Sequence, residues 1–180
     1  IPNEVPYLRP LETTAGPKSI RTVGLVWAGT PKNSRDGWRS CPRGVLSPLL
    51  EVPGLSFQSL QPGWIPGPGT PPWSDVAPLD EGVTDYADTA KIIANLDLVI
   101  SVDTSVAHLA GALGKPVWML LGRHSDWRWL LDRDDTPWYP TMRLFRMGET
   151  DGPGNDRESW INLLAKVAEE LSIFAEQASE

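Results

Sequence analysis

Apolar positions along the chain fall into two distinct periods. Leu98–Val102 (LVISV) and Val117–Leu121 (VWMLL) are short, nearly continuous apolar runs, the pattern of strands covered on both faces of a parallel sheet. Between them Val106, Leu109, Ala110 and Leu113 recur at helical spacing. Asp103, Thr104 and Ser105 offer amino-terminal caps for this helix, and Gly114 followed by Pro116 closes it. Residues 97–122 therefore read as a strand–helix–strand unit, with its polar residues where the first strand's carboxyl end meets the helix amino end. In an open parallel sheet that edge binds ligands, and exposed helix amides there favour an anion.

The same reading extends along the chain. Ile20–Ala28 predicts a central first strand, and Gly29–Cys41 a polar loop carrying Lys32, Arg35 and Arg39 on the binding edge. Pro42–Glu51 predicts a helix through Val45, Leu46, Leu49 and Leu50, and Leu55–Leu60 a second strand with Gln61 directly after it. Pro62–Pro72 is loop by composition, either a flexible lid or an irregular connection. A weak strand over Val76–Leu79 and a helix over Asp85–Asn95, capped by Asp85, precede the focal unit. After it come a Trp-rich, charge-rich short helix within His124–Asp135, a rigid aromatic corner at Pro137–Pro140 and a last strand at Thr141–Arg146. A loop over Met147–Arg157 and an amphipathic closing helix over Ser159–Phe174 complete the chain. This order predicts an α/β fold, a Rossmann-like doubly wound and mostly parallel sheet. Residues 1–19 read as a lead-in or linker and residues 20–180 as the domain.

Composition narrows the partners. At 180 residues, 41% hydrophobic and 22% charged, the chain has ample length for a core and reads as one soluble domain or one lobe of a larger enzyme. A net charge of −7 without a Lys/Arg cluster argues against nucleic acid. Cys41 is a single cysteine, which fits a reducing cytoplasm, and no apolar run is long enough to span a membrane. The amino terminus has no signal pattern and no initiator Met, so a piece of a longer protein is expected.

Several familiar sites are absent from the sequence. The first strand is followed by GTPKNS rather than G-x-G-x-x-G, and neither a Walker loop nor a G-x-S-x-G elbow occurs. His108 and His124 with Cys41 do not make a metal-ligand set, and Cys41 has no evident His partner. A diphosphate-type site remains. Thr104 and Ser105 offer hydroxyls and amides at a helix amino terminus, suited to a pyrophosphate or simply to capping. Asp103 either caps or accepts from sugar hydroxyls, since an ionised carboxylate only accepts and would repel a phosphate beside it. His108 lies four residues beyond Thr104 on the same face, as a satisfied structural residue or as part of the site. Lys32, Arg35 and Arg39 either neutralise a phosphate or belong to a solvated loop. Trp27 and Trp118 read as core. Trp127 and Trp129 beside Arg128 read as interior packing or as contact with a missing neighbour, ahead of stacking on a base or sugar.

The stretch LDLVISVDTSVAHLAGALGKPVWMLLG resembles the donor-binding half of the lipopolysaccharide heptosyltransferase family, inverting glycosyltransferases of the glycosyltransferase-B fold. In that family D-[ST]-G-x-x-H-[LI]-A-x-A-L-x-x-P follows a buried strand. GLVWAG and DWRWLLDRDDTPWYPTMRLFR resemble bacterial proteins that join amino-terminal tetratricopeptide repeats to such a lobe, and the resemblance runs from Val23 to Leu171. It implies a single glycosyltransferase-B lobe that takes a nucleotide-diphosphate sugar; with no acidic metal site evident in the sequence, no metal is expected. It further implies that Asp103 contacts the donor sugar, that the amides of Thr104 and Ser105 hold the diphosphate, and that His108 is the motif histidine. One of Lys32, Arg35 and Arg39 would stand for a phosphate-binding Lys of the family, with Gly29 and Gln61 as additional candidates. Two departures stand out: Ser105 replaces the usual Gly, and Gly-Arg-His-Ser-Asp replaces G-P-T-[DS]-P after the last focal strand. The family's catalytic base belongs to an amino-terminal lobe that this chain lacks, so the resemblance names no catalytic residue here. The expectation is weak donor binding without transfer; the alternative is a non-catalytic scaffold attached to tetratricopeptide repeats.

Overall fold

The computed structural model describes residues 4–10, 20–34, 36–65, 73–148 and 156–177. Six strands form one sheet: β1 (Arg21–Val26), β2 (Leu55–Ser59), β3 (Val76–Ala77), β4 (Leu98–Val102), β5 (Val117–Leu121) and β6 (Met142–Arg146). Their order is β3-β2-β1-β4-β5-β6, and every neighbouring pair is parallel. Five helices accompany them among the described residues: α1 (Asp36–Arg39), α2 (Ser47–Leu50), α3 (Tyr86–Ala94), α4 (Ser105–Ala112) and α5 (Asp156–Glu176).

Both faces of the sheet are covered, which explains the continuous apolar runs. Every residue of β4 is buried. Leu98, Ile100 and Val102 alternate onto one face, packing with Leu49 of α2 and Leu164, Val167 and Leu171 of α5. Val99 faces the other way, with Val117, Met119 and Leu121 of β5, Ile93 of α3 and Ala107 and Ala110 of α4. The sheet is thus doubly wound, as expected. The chain winds outward from β1 to β3 and then returns to β4 on the opposite side of β1. The strand order therefore reverses between β1 and β4, and a crevice opens outside their carboxyl ends.

Several elements differ from the pattern reading. The helix expected over Pro42–Glu51 is broken into a 3-10 turn at Arg43–Val45 and the short α2. Pro48 supplies no N–H for the next helical bond, and the Ser47 hydroxyl reaches back to the Gly44 carbonyl at 3.4 Å instead. β3 stops at Ala77 because Pro78 cannot donate to the ladder. Within 124–135 only a 3-10 turn, Trp127–Trp129, is helical; Leu130 (φ 55°) and Asp132 (φ 52°) turn the backbone into the left-handed region and stop it. Helix α1 lies inside the expected loop, and α5 starts before and ends after the expected bounds. The Gly114 closure is as expected, Gly114 adopting φ 71° after α4.

Part of the predicted lead-in rests on the domain. The Tyr7 and Leu8 amides donate to the Ala112 carbonyl at 3.0 and 3.1 Å, at the carboxyl end of α4. Residues 11–19, and residues 66–72 of the Pro62–Pro72 loop expected as a lid or an irregular connection, lie outside the described residues. Among the described residues no helix is long and apolar enough to cross a membrane.

Candidate functional site

A cleft of about 470 Å³ opens at the reversal of strand order, and residues from three segments line it. Ala28–Pro31 with Arg39 follow β1, Gln61–Pro62 follow β2, and Thr104–Val106 begin α4. Thr104 is the N-cap residue of α4, with extended backbone (φ −137°, ψ 165°), but its side chain makes no cap bond. Its hydroxyl instead lies 3.1 Å from the Ser101 hydroxyl. Neither Asp103 nor Ser105 is the cap; the Ala107 amide bonds back to the Thr104 carbonyl at 3.1 Å, and Ser105 and Val106, the first two residues of α4, line the cleft.

Arg39 is the candidate cation that the fold brings here. Its Nε lies 3.1 Å from Asp36 Oδ1, and its Nη1 donates to the Asp103 carbonyl at 3.2 Å. Ser40 Oγ donates to Asp36 Oδ2 at 2.9 Å and accepts from the Gly29 amide at 3.0 Å, which ties the loop to the short helix. A Cβ on Gly29 would run into the Arg39 guanidinium and the Asp36 carboxylate, so only glycine lets them lie across the loop. Lys32 is exposed and does not line the cleft. Arg35 lies outside the described residues. Gln61 lines the cleft, but its Oε1 already accepts from the Trp27 and Ala28 amides at 3.3 and 2.9 Å, closing the end of β1.

Asp103 and His108 stand beside the cleft rather than in its lining. His108 Nε2 lies 3.7 Å from Asp103 Oδ1, in ion-pair range but longer than a hydrogen bond. Its Nδ1 is 3.0 Å from the Tyr139 hydroxyl, and its ring stacks on Trp129 with centroids 5.2 Å apart. Burial alone would raise the Asp103 carboxyl pKa. The neighbouring His108, the Trp129 indole N–H and the Arg39 charge outweigh it and hold the group below the ordinary carboxylate value. The Trp129 N–H is buried with no acceptor at hydrogen-bond length, so its effect on the carboxylate acts at longer range.

Sequence reading missed Tyr139 and Gly111 as parts of this group. A Cβ on Gly111 would overlap the Tyr139 ring, so a glycine inside α4 is what lets the ring lie against the helix one turn from His108. The aromatic corner was visible as a motif, but its partner lies 31 residues away in sequence. A second hollow of about 480 Å³ shares Pro62, Ser105 and Val106 with the cleft and is walled by Leu60, Leu79, Val83 and Tyr86. The amino end of α4 thus sits between two hollows, the second of which also carries Thr84, Asp85 and Thr89.

The tryptophans divide as follows. Trp27, Trp64 and Trp73 pack edge to face, with centroids 5.2–5.7 Å apart. Trp129 is fully buried against His108, which resolves its role as packing within the site, whereas Trp127 is 68% exposed. Cys41 is buried in the core, and burial pushes its thiol pKa far up.

Comparison with known proteins accords with this architecture. Residues 81–162, which hold α3, β4, α4 and β5, match the model of "Glycosyltransferase family 9 (heptosyltransferase)". Protein FlbA of Caulobacter vibrioides is 33% identical over 171 residues, 89% of this chain and 26% of that protein. The E. coli heptosyltransferase WaaC, solved with ADP-2-deoxy-2-fluoro heptose, superposes with a TM-score of 0.55 at 18% identity, covering 87% of this chain and 45% of that one. The E. coli ADP-heptose lps heptosyltransferase II gives 0.59 at 18% identity, covering 91% and 49%. The chain thus spans about a quarter of the curated relative and about half of each solved enzyme. With its parallel six-stranded sheet, it has the Rossmann-like lobe of the glycosyltransferase-B fold found in heptosyltransferases, and its central unit matches glycosyltransferase family 9.

Proposed function

We propose that the chain is the donor-binding, carboxyl-terminal lobe of an inverting glycosyltransferase and holds a nucleotide-diphosphate sugar at the β1/β4 crevice. The observation that carries this reading is the convergence there of the uncapped α4 amino end, the Arg39 guanidinium and a glycine-lined loop. Amides and a fixed guanidinium suit a diphosphate, and they would stabilise the charge that grows on it as the sugar leaves. The second hollow beside Ser105 has room for a base, and Asp103 would accept hydrogen bonds from sugar hydroxyls. Among the described residues no three His, Cys, Asp or Glu side chains converge. Charge neutralisation on the diphosphate falls in this reading to the helix amides and Arg39. WaaC, solved with ADP and with an ADP-heptose analogue, makes ADP-sugars the first ligands to try.

One observation favours a second reading, a transferase-like binding module that does no chemistry itself. Among the described residues the cleft lining contains no carboxylate or imidazole to act as a general base. An amino-terminal lobe would supply one in the first reading; in the second, tetratricopeptide repeats or another partner would use the lobe as a scaffold.

Calorimetric titration with ADP-, UDP- and GDP-sugars separates the two readings. Millimolar or tighter binding that needs Arg39, with no sugar transfer by the chain alone, supports the donor lobe. Silence across the panel by a folded chain leaves the scaffold.

A further inference from the structure

We propose that Tyr139 is a positioning residue that fixes the tautomer of His108 and, through it, the Asp103 carboxylate as an acceptor for donor-sugar hydroxyls; the sugar part rests on the nucleotide-sugar reading above.

The two nitrogens of the His108 ring face different partners. His108 Nδ1 lies 3.0 Å from the Tyr139 hydroxyl, and Nε2 faces Asp103 Oδ1 at 3.7 Å. If Nδ1 carried the proton of the neutral ring, the Nε2 lone pair would face a carboxylate oxygen, an arrangement of two electron-rich atoms. If Tyr139 donates to Nδ1, the proton sits on Nε2 and points at the carboxylate, so every contact is attractive. The Tyr7 hydroxyl, donating to the Tyr139 oxygen at 3.5 Å, continues the same direction. Burial raises the Tyr139 phenol pKa, which keeps it a donor at neutral pH.

Packing holds this chain in place. Tyr139 is 8% exposed, and Trp129, which stacks on the imidazole, is fully buried. Gly111 gives up the better helix propensity of a larger residue and leaves the space that the Tyr139 ring fills. Asp103 then presents one oxygen to the imidazole and keeps the other for a ligand hydroxyl, which its partial exposure of 21% allows.

The test uses the full chain with two readouts. Nitrogen-15 NMR of the histidine rings at neutral to mildly alkaline pH should find His108 as the Nε2–H tautomer. In Tyr139→Phe the Nδ1–H form should gain population. Gly111→Ala, which displaces the ring and keeps its hydroxyl, should shift the tautomer in the same direction and serves if the first variant does not fold. By calorimetry, Tyr139→Phe should weaken ADP-glucose about tenfold, the worth of one good hydrogen bond, and leave ADP within about twofold. An unchanged tautomer in both variants overturns the wiring. Parallel weakening of ADP and ADP-glucose overturns the sugar-specific role. If the wild-type chain binds neither ligand nor any other sugar nucleotide, the donor-lobe reading falls and takes the sugar role with it, while the NMR result alone still decides whether Tyr139 sets the state of His108.

Discussion

Arg39 donates through Nη1 to the main-chain oxygen of Asp103 at 3.2 Å. This bond joins the loop after β1 to the entry of α4, the two segments that flank the reversal of strand order. The guanidinium is held by Asp36 and stays 26% exposed at the cleft, so its charge is aimed and still reachable.

Arg39→Ala is therefore expected to weaken ADP or ADP-sugar binding about tenfold to a hundredfold, the loss of roughly 1.5–3 kcal/mol from a charged hydrogen bond. Stability should fall by less than about 1 kcal/mol, because the Asp36 pair is partly solvated. Titration calorimetry beside a urea melt reads both. An unchanged affinity would remove Arg39 from the site.

Arg146 holds the loop that carries Trp129. Its Nη2 donates to the Trp129 carbonyl at 2.5 Å, its Nε to the Arg133 carbonyl at 2.9 Å, and its Nη1 to Ser125 Oγ at 3.4 Å. Arg146→Met keeps much of the stem's packing and strands those carbonyls, so a loss of about 2–3 kcal/mol is expected in chemical denaturation. A loss below about 0.5 kcal/mol would show that water replaces the clamp.

How far these sites were legible depends on whether their determinants are local. The strands, α4 and its Gly114 closure follow from short continuous apolar runs, a helical period and a left-handed cap, all contained within a few residues. The strand-to-helix edge with Thr104 and Ser105 was legible for the same reason. The choice of Arg39 over Lys32 was not, because it depends on α1, Gly29 and a carbonyl 64 residues away. His108 could not be assigned a partner for a similar reason. Tyr139 reaches it only because β6 lies beside β5 and Gly111 leaves a space on α4. The break at Pro48 was open to local reading, but the apolar spacing of Val45, Leu46, Leu49 and Leu50 outweighed it.

The lowered Asp103 pKa predicts an acid limb of instability. A carboxyl that holds its proton less tightly when folded leaves the unfolded chain binding more protons as pH falls. Its contribution is complete above the ordinary carboxylate value near 3.8 and is lost as pH drops through the lower folded value. Asp103→Asn should flatten part of the decline below pH ~4 in urea melts run as a pH series. An acid limb identical to wild type would mean that other carboxylates carry it.

Cys41 offers a probe of the core. It is 2% exposed, and burial holds its thiol protonated far beyond the usual range. A disulfide reagent such as dithionitrobenzoate should leave the native chain unmodified at pH 8 and label it stoichiometrically in denaturant. The labelling rate should follow global unfolding, since Cys41 packs with the core on the α2–α5 face. Fast labelling of the native chain would point to local opening at the start of that segment.

Gln61 separates structure from electrostatics at the cleft. Its Oε1 accepts from the Trp27 and Ala28 amides, which have no ladder partner once β1 ends. Gln61→Ala removes the acceptor and leaves two amides short of a partner, so a loss of about 1–2 kcal/mol in stability is expected. Gln61→Glu keeps an acceptor at the same reach and strengthens it, because an ionised oxygen bonds amides better than a neutral one. Its stability should match or exceed that of wild type. The same substitution places a negative charge in the lining of a cleft proposed to hold a diphosphate. Across roughly 6–8 Å at an effective dielectric near 20 to 40, that repulsion amounts to about 1–3 kcal/mol, or roughly fivefold to a hundredfold in affinity, and it should shrink with added salt. A folded Gln61→Glu chain that binds ADP as tightly as wild type at low salt would place the anion elsewhere. One that loses affinity while keeping its stability would put the diphosphate beside Gln61, at the end of β1.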